Sequence, residues 1–490
     1  MAHRTHPGPG PTCLGVVRHP AIGIRIPELL LPGILCACQQ RDTATGLMLS
    51  FGRETAPEAV ISAPPGTWEI TRGHTGTSIR AYQTMAARAA EKAGVTVEIE
   101  ADHLIVIGSS TAAVQRIAGY HAKSHISEEE LERSLQYNMM AIDEAADVGV
   151  VGCFTTDTSD LFWLDADELR AAQVRRLFEE RFEAADRRGI LRRYRHPRRF
   201  TAPGGKSVSV TISETQAMRL ALKFCKSLEI NARIYEYCRE KLGGRPFSFE
   251  ISLDETAEMT SPRETLFYLT EWKAMGLPCH YFAPNIGFGK RADFRGDMAA
   301  LQTRVRQHHA IAQGVTGALL SIHSGSGTTP YSGKGRGTYQ ALLAGTGGDL
   351  KYKISGVYFE LLLEMLAALP ARSEGRRLYN RVFDEVLKLL RREVRQGGPL
   401  AQPLLMRQLE QYDRAVARDP SKRRDPRADF FRFNSYLALN LRDERGRRYL
   451  RDALVELVQG DADLRERFDA EVAALTLRLI DGLHFANNLA

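Results

Sequence analysis

Short runs of β-branched residues alternate with long amphipathic segments along this chain, and this alternation restricts its possible folds more than any other sequence feature. It is typical of a parallel sheet covered by helices. Eight runs are predicted strands, and they are Thr67–Thr71, Val95–Asp102, Val148–Thr155, Phe247–Ile251, Cys279–Ala283, Ala318–His323, Leu350–Ile354 and Phe430–Ser435. Because eight parallel strands can close on themselves, the sequence predicts an α/β protein with a (β/α)8 TIM-like barrel.

Helix start and stop signals lie between these runs. Ser213 and Gln216 form a capping box that begins a long predicted helix, and Gly243 ends it. Pro262 occupies the first turn of a further predicted helix, where proline is favoured because its missing N–H has no partner in the helix. The helices therefore separate the strands as a barrel requires.

The barrel is predicted to occupy residues 56–442 of the 490-residue chain. Two stretches, about 104–126 and 162–202, exceed a minimal barrel and are predicted to be helical insertions. Residues 443–490 are charged and read as helical, so we expect a segment that packs on the barrel or forms a contact in a homo-oligomer. Residues 1–55 are interpreted as a poorly ordered N-terminal extension.

Charge and cysteine content argue against several classes of protein. Much of the net charge of +7 lies in arginine runs. Aromatic residues are not interleaved with these runs in the manner of a stacking platform for bases, so nucleic-acid binding is not expected. The seven cysteines are odd in number and scattered, which indicates a reducing, cytoplasmic location rather than a disulfide framework. The apolar stretch from Ala21 to Leu35 contains Arg25 and Glu28 and is too short to cross a bilayer, so no membrane partner is expected.

The catalytic groups of such a barrel lie at the carboxyl ends of its strands. Acidic and imidazole side chains follow several predicted strands, among them Asp102, His103, Glu250, Asp254 and His323. Carboxylates and imidazoles at one mouth suit a divalent transition metal with nitrogen and oxygen ligands. The sequence therefore predicts a metal-dependent barrel enzyme.

Strand alternation indicates which of these side chains face inward. Two apolar neighbours lie on the opposite face from Glu250, so Glu250 is the inward residue, and a carboxylate there is costly unless it binds a metal or another cation. Asp102 and His103 lie on opposite faces of a strand, so only one of them points straight inward unless the strand has ended. Asp254 is either a site residue or a cap for the helix that follows.

The tract Gly325–Gly337 is rich in glycine but matches no nucleotide-binding fingerprint. Three interpretations remain open for it, namely a flexible lid, an anion-binding loop and a plain long loop.

The segment Phe249–Thr256, followed by Thr260-Ser261-Pro262, resembles the signature of the tagaturonate epimerase family. Other segments match in the family's order, and they are Ala101–Leu104, Ala145–Gly149, Leu266-Phe267, Ala283-Pro284, Gly296-Asp297, Ser321–Ser326 and Lys353 with Gly356. The resemblance extends from about residue 68 to residue 440 and is strongest over residues 247–356.

This resemblance implies an isomerase of carbohydrate metabolism, an α/β barrel that uses a divalent metal to interconvert tagaturonate and fructuronate. The metal would be zinc, manganese, nickel or iron, and the partner a small sugar or sugar acid. The inverted carbon is not adjacent to the ketone. The reaction therefore requires either retro-aldol cleavage with re-addition, for which the metal is a Lewis acid, or direct proton removal and return.

The expected roles of individual residues follow from the resemblance and from the strand ends. The acid–base groups are expected to be Glu250 and Asp254. The metal ligands are expected to be His103, His323 and Asp102. Substrate contacts are expected from Lys353, Asn285, Ser324 and Glu255.

The chain departs from the family pattern at three places. Gly327-Thr328 replaces an Asp-Lys pair, Asn285 replaces an arginine, and Lys351 replaces a histidine. Lys334, Arg336 or Lys351 could supply the lost charge. Two alternative functions are a metal-dependent sugar isomerase or class II aldolase, and a non-catalytic sugar-binding barrel.

Overall fold

Eight parallel strands form a closed barrel in a computed structural model that describes residues 8–64, 73–109 and 126–490. The strands are β1 (His19–Gly23), β2 (Thr45–Ser50), β3 (Thr96–Ile105), β4 (Val151–Asp157), β5 (Ser248–Leu253), β6 (Tyr281–Pro284), β7 (Leu319–Ile322) and β8 (Leu350–Ile354). Each strand pairs with the next along the chain, and β8 pairs with β1. The predicted barrel is confirmed.

One long helix lies between each strand and the next, and an eighth follows the last strand. The helices are α1 (Pro27–Gln40), α2 (Ile79–Ala93), α3 (Glu128–Val148), α4 (Glu214–Leu242), α5 (Pro262–Ala274), α6 (Met298–Thr316), α7 (Thr338–Thr346) and α8 (Val357–Ala368). Helix α4 begins with the predicted capping box, in which the Ser213 side chain accepts the N–H of Gln216. Gly243 ends this helix with a positive φ of 58°, a conformation that glycine adopts without steric cost.

Six of the predicted strands, from Val95–Asp102 to Leu350–Ile354, are confirmed to within three residues at each end. The prediction for Phe430–Ser435 is wrong, because Asp429–Asn434 is a short helix. Its aromatic residues pack on other helices, with the ring of Phe430 centred 5.4 Å from that of Phe383 and 4.8 Å from that of Tyr412. The run Thr67–Thr71 lies outside the described residues.

The barrel begins earlier than residue 56. Strands β1 and β2 lie within the segment interpreted as an extension, so the prediction that residues 1–55 are poorly ordered is wrong for the described residues 8–55. Helix α1 is apolar because it packs against the C-terminal helix Ala462–Gly482, and an added Cβ at Gly33 would lie 2.6 Å from the Asp469 carbonyl oxygen. Pro27 starts this helix instead of breaking it.

Additional elements surround the barrel. Between β4 and α4 lie the turns Ser159–Leu161 and Leu164–Glu168, the helices Ala171–Arg181 and Ala184–Arg193, and an antiparallel hairpin of Arg198–Ala202 with Lys206–Val210. The expected insertion at 104–126 begins within β3, and residues 110–125 lie outside the described part. Near the N-terminus, Gly10–Pro11 pairs with β3, Thr55–Ala56 pairs with Thr77–Ser78, and Glu58–Ser62 is a short helix.

The C-terminal region is helical. Its main helices are Glu374–Gln396, Pro403–Arg418, Tyr449–Gly460 and Ala462–Gly482, with short turns at Pro420–Lys422 and Ser435–Asn440. The last helix packs on α1 and α8. Among the residues that the structure describes, no helix has the length and apolar character needed to span a membrane.

Candidate active site

The barrel interior is lined by ionisable side chains where branched apolar residues are usual. Strand alternation directs alternate residues of one strand inward, and the inward side chains include Glu98, Glu100 and Asp102 on β3, Glu250 on β5, and Lys351 and Lys353 on β8. These six residues are between 0% and 6% exposed. Buried charges are tolerated only when they are paired or bind metal.

Two lysines neutralise the carboxylates in the centre of the barrel. Lys351 Nζ lies 2.6 Å from Glu100 Oε2 and 3.0 Å from Glu250 Oε2. Lys353 Nζ lies 2.6 Å from Asp102 Oδ1, 2.8 Å from Glu250 Oε1 and 2.9 Å from Thr155 Oγ1. An ammonium group has three hydrogens, so Lys353 has no donor left for a substrate and instead positions Asp102 and Glu250.

The same contacts determine the ionisation of Glu250. Burial would raise the pKa of Glu250, but Lys351, Lys353 and His323 outweigh it and hold this pKa well below its ordinary value. Glu250 Oε1 lies 2.6 Å from His323 Nε2. The carboxylate is therefore ionised, fully buried and held from three sides.

His103, Asp254 and His323, here called the mouth cluster, lie together at the carboxyl ends of the strands. One donor atom from each lies within 4.8 Å of the others. His323 Nδ1 is 3.0 Å from Asp254 Oδ1, and the two imidazole rings are centred 5.0 Å apart. Burial opposes protonation of His323, yet Asp254 and Glu250 raise its pKa to about 9.

The mouth cluster has donor atoms that fit a metal. His103 Nδ1 is 2.9 Å from Asp102 Oδ2, which leaves the buried Nε2 atom without a hydrogen-bond partner. Metal-binding histidines have this arrangement, in which a carboxylate orients the ring through its other nitrogen. His323 Nδ1 is also buried and faces Asp254, the third member of the cluster. Two imidazole nitrogens and the Asp254 carboxylate suit the divalent metals predicted from the sequence.

A bulge in β3 explains why Asp102 and His103 both reach the mouth. The register with β4 shifts between Ala101 and Leu104, and His103 has a φ of +48°. Bulges of this kind re-aim side chains beside active sites, so the expectation that only one of the two points inward is wrong. Ser324 and Arg291 at the same mouth have φ values of +56° and +51°. Such strained residues gather at functional sites.

A cavity of about 170 Å³ opens at this mouth. The predicted site residues that line it are Asp102, His103, Asp254, Glu255, His323, Ser324 and Lys353. Glu250 lies beneath its floor. Asp102 contacts His103 and Lys353, and the mouth cluster contains Asp254 in place of the expected Asp102.

Asn285 does not line this cavity, contrary to its expected role in substrate contact. Its amide nitrogen donates to the Thr256 carbonyl at 2.9 Å, and its amide oxygen accepts the N–H of Gly287 at 2.9 Å. The side chain therefore connects the loop after β5 to the loop after β6. Glu255 does line the cavity, but it is paired with Arg53 at 3.1 Å and Lys290 at 2.9 Å.

The residues expected to replace the lost family charge have other roles. Lys351 is fully buried below the mouth. Lys334 donates to the backbone carbonyls of Gly289, Ser324 and Ser326, and so ties the glycine-rich tract to the strand ends. Arg336 lines a separate cavity beside the C-terminal helix.

Three arginines that sequence reasoning missed supply positive charge at the mouth, beside an uncharged histidine. Arg25, Arg53, His74 and Arg291 line the cavity. Buried nitrogens without hydrogen-bond partners include Nη1 of Arg25, Nη1 of Arg291 and both ring nitrogens of His74. Burial and the neighbouring Arg25 lower the pKa of His74 to about 3, and burial lowers the pKa of Arg291 to about 10 despite Glu360. Arg25 and Arg291 are each paired with one carboxylate, Glu54 and Glu360, and each keeps one buried donor that no group in the described residues satisfies.

Comparisons with known proteins point to the family that the sequence motifs resemble. Residues 136–368 match the family model described as tagaturonate epimerase (UxaE). A tagaturonate/fructuronate epimerase from Thermotoga maritima is 27% identical over 182 residues, which are 37% of this chain and 35% of that protein. The matched segment therefore spans about a third of that curated relative.

Solved structures extend the likeness to the whole barrel. The glycerol-bound crystal structure of fructuronate-tagaturonate epimerase UxaE from Cohnella laeviribosi matches with a TM-score of 0.66 and 18% identity, and covers 97% of this chain and 83% of that one. The native form of the same protein matches with a TM-score of 0.64 and 19% identity. At this identity the match shows the fold. The family resemblance indicated by the motifs is confirmed by the family model.

Proposed function

We propose that this chain, as a diverged member of the tagaturonate epimerase family, is a metal-dependent epimerase that inverts a hydroxyl-bearing carbon of a keto-sugar acid or a related ketose. One observation carries the proposal, the convergence of His103, Asp254 and His323 at the open mouth of the barrel. The family model and the Thermotoga maritima relative support a sugar acid of the tagaturonate and fructuronate type as substrate.

His103 Nε2, His323 Nδ1 and a carboxylate oxygen of Asp254 would hold the metal. A bound divalent metal would polarise substrate oxygens as a Lewis acid. Asp102 orients His103 through Nδ1, and Glu250 orients His323 through Nε2. A carboxylate that contacts the second ring nitrogen fixes both the tautomer and the orientation of a ligating imidazole.

Proton transfer is assigned to Asp254. Its side chain is 12% exposed and lines the cavity, so a bound sugar can reach it. Glu250 has no exposed side-chain area and its oxygens contact Lys351, Lys353 and His323. We therefore assign Glu250 to positioning, and this revises the acid–base pair expected from the sequence.

Arg25 and Arg291 are assigned to the substrate's negative charge. Glu54 Oε1 accepts from Nε of Arg25 at 2.6 Å, and Glu360 lies 3.6 Å from Nε of Arg291, so each guanidinium keeps an unpaired Nη1 atom. Guanidinium groups bind carboxylates through charge-assisted hydrogen bonds. A sugar carboxylate between these residues would satisfy the donors that the protein leaves unpaired.

Arg291→Met is expected to raise KM for tagaturonate roughly 10- to 100-fold, which corresponds to the loss of about 1.5–3 kcal/mol from one charge-assisted hydrogen bond. The substitution keeps much of the side-chain volume and removes the donors. Initial rates over a range of substrate concentrations measure the change. The same variant is expected to leave KM for neutral tagatose within about twofold.

Arg295→Met is the matched control, because Arg295 is exposed on the same loop. It should retain the wild-type KM for both sugars. An equal loss for charged and neutral sugars in Arg291→Met would contradict the role given to Arg291, since it would indicate general damage to the mouth.

Turnover of tagaturonate by the full chain, supplied in turn with zinc, manganese, nickel or iron(II), tests the proposed function. The expected product is fructuronate, identified by nuclear magnetic resonance. Running the reaction in deuterium oxide separates the two routes. Deuterium at the inverted carbon indicates proton removal and return, and its absence there indicates retro-aldol cleavage with re-addition.

Other products would favour the alternative functions. Cleaved fragments would identify an aldolase, and an aldose would identify an isomerase. Binding of the sugar without any turnover, whichever metal is supplied, would overturn the proposal in favour of a sugar-binding barrel.

We also propose a reducing, cytoplasmic location and a small sugar acid as the main partner. All seven cysteines are free in the structure, which supports a reducing compartment. Nucleic acid is not expected as a partner. A homo-oligomer stays a prediction.

A further inference from the structure

A second group of unpartnered ionisable atoms lies inside the barrel, at the amino ends of β1 and β3. His19 Nε2, Glu98 Oε2 and Glu100 Oε1, here called the base cluster, converge there with donor atoms within 4.8 Å of one another. His19 Nε2 is 3.6 Å from Glu100 Oε1 and 4.0 Å from Glu98 Oε2. All three residues are 0% exposed, and none of these three atoms has a hydrogen-bond partner in the described residues.

The contact of His19 with the backbone shows which of its two ring nitrogens carries the hydrogen. His19 Nδ1 lies 2.8 Å from the Val17 carbonyl oxygen. A carbonyl oxygen only accepts, so Nδ1 carries the hydrogen and Nε2 of the neutral ring presents a lone pair. Burial lowers the pKa of His19 despite the neighbouring Glu100, which favours this neutral form. A lone pair therefore faces two carboxylate oxygens. Burial raises the pKa of Glu98 to about 8, so these three atoms share either a proton on Glu98 or a cation that takes the place of that proton.

The remaining oxygens of the two carboxylates are already occupied. Glu98 Oε1 accepts the N–H of Leu14 and the hydroxyl of Ser248, both at 2.8 Å. Glu100 Oε2 accepts from Lys351 at 2.6 Å. Each of the three residues is thus fixed by an outer partner and directs one free atom inward. This arrangement is typical of metal ligands, including the histidine that donates to a backbone carbonyl.

Small residues leave room around these carboxylates. A Cβ added at Gly46 on β2 would lie 1.9 Å from Glu100 Oε1, and one at Gly152 on β4 would lie 3.1 Å from Cγ of Glu98. Even an alanine at Gly46 would collide with the carboxylate. Glycine in these strands therefore accommodates the base cluster, although glycine usually weakens a strand.

We propose that His19, Glu98 and Glu100 bind a second divalent metal ion of the zinc type, separate from the mouth site. Ligand atoms of a tetrahedral zinc site lie about 3.4 Å apart, so small shifts from the present 3.6 and 4.0 Å separations would complete it. The six inward side chains of the barrel comprise four carboxylates and two lysines, so a divalent ion would balance the excess negative charge. A water molecule would supply the fourth ligand.

The ion would have a structural role. Glu98 binds the N–H of Leu14, Tyr281 donates to the Val17 carbonyl at 3.1 Å, and His19 begins β1. The ion would therefore fasten the N-terminal segment and β1 to β3. In barrels of this type the amino ends of the strands serve stability, while chemistry occurs at the opposite end.

Metal analysis of the full chain tests the proposal. The protein is produced in medium supplemented with zinc, because the site is closed once the chain has folded, and it is analysed by plasma mass spectrometry after gel filtration. We expect about two equivalents of metal in the wild type and about one in Glu98→Gln. Glu98→Gln is a conservative variant, since its amide oxygen can accept the existing hydrogen bonds and its NH₂ can donate to the two atoms that face the ion.

His323→Ala is the companion variant, because it removes a ligand of the mouth cluster and leaves the base cluster intact. It should lose one equivalent, and the double variant should lose both. The midpoint of thermal unfolding should fall when wild-type protein is produced without zinc, and it should fall less for Glu98→Gln, which keeps only the mouth site. The proposal is overturned if Glu98→Gln holds as much metal as the wild type, or if wild-type metal is lost entirely in His323→Ala. One equivalent that is lost in Glu98→Gln but kept in His323→Ala would support the base site and contradict the mouth site.

Discussion

Asp254→Asn is expected to lower kcat for the epimerisation at least about 10³-fold, the range associated with the loss of a positioned acid–base group. Asp254 lines the cavity and lies 3.0 Å from His323 Nδ1. Asparagine has the same shape but neither accepts a proton nor carries the negative charge that a metal ligand needs. Initial rates with tagaturonate, with fructuronate quantified by nuclear magnetic resonance, measure the effect.

Glu258→Gln serves as the matched control, because Glu258 is exposed on the same loop after β5. It should keep the wild-type kcat. The metal content of Asp254→Asn separates the two roles of Asp254, metal ligation and proton transfer. Loss of metal would assign the effect on kcat to ligation, and retained metal would assign it to proton transfer. A kcat within tenfold of the wild type would remove Asp254 from the chemistry altogether.

Glu250→Gln is expected to lower the free energy of unfolding by about 3–5 kcal/mol, as when one partner of a buried ion network is removed. Glu250 is fully buried and contacts Lys351 at 3.0 Å, Lys353 at 2.8 Å and His323 at 2.6 Å. Without its charge, two buried ammonium groups share the remaining carboxylates. Urea unfolding followed by circular dichroism measures the loss.

Two further variants make this prediction specific. Glu132→Gln breaks the exposed contact with Arg233 at 2.7 Å, and it should leave the unfolding midpoint unchanged, since exposed ion pairs contribute little. The double variant Glu250→Gln/Lys351→Met should be more stable than the sum of its single variants predicts, because it removes the charge that Glu250 compensates. Additive losses would show that Glu250 and Lys351 do not stabilise each other.

The periodicity of the chain was sufficient to predict the barrel, because period-two and helical patterns report which faces are buried. The prediction failed for segments that are buried by elements outside the barrel. Helix α1 packs between the barrel and the helix Ala462–Gly482, so its apolar run reads as neither strand nor surface helix. Because the N-terminal segment was interpreted as an extension, β1 and β2 were absent from the predicted barrel. The predicted strand Phe430–Ser435 stood in for one of them, although its aromatic rings pack on helices.

The strand-end residues of the site could be predicted from the sequence alone. Glu250, Asp254 and His323 follow predicted strands, and parallel strands bring their carboxyl ends to one mouth. Their roles depend on contacts that form only in the folded chain. A bulge in β3 turns both Asp102 and His103 to the mouth, and ion pairs with Lys351 and Lys353 bury Glu250 beneath the cavity.

Residues distant in sequence completed the site and the barrel interior. Arg25 and Arg291 meet at the mouth, and His19 meets Glu98 and Glu100 at the base, although 79 positions separate His19 from Glu98 in the chain. No local pattern indicates such contacts, because they depend on how the closed sheet brings β1 next to β8 and β2. The sequence determined which strands and strand ends exist, and barrel closure decided which charges face one another.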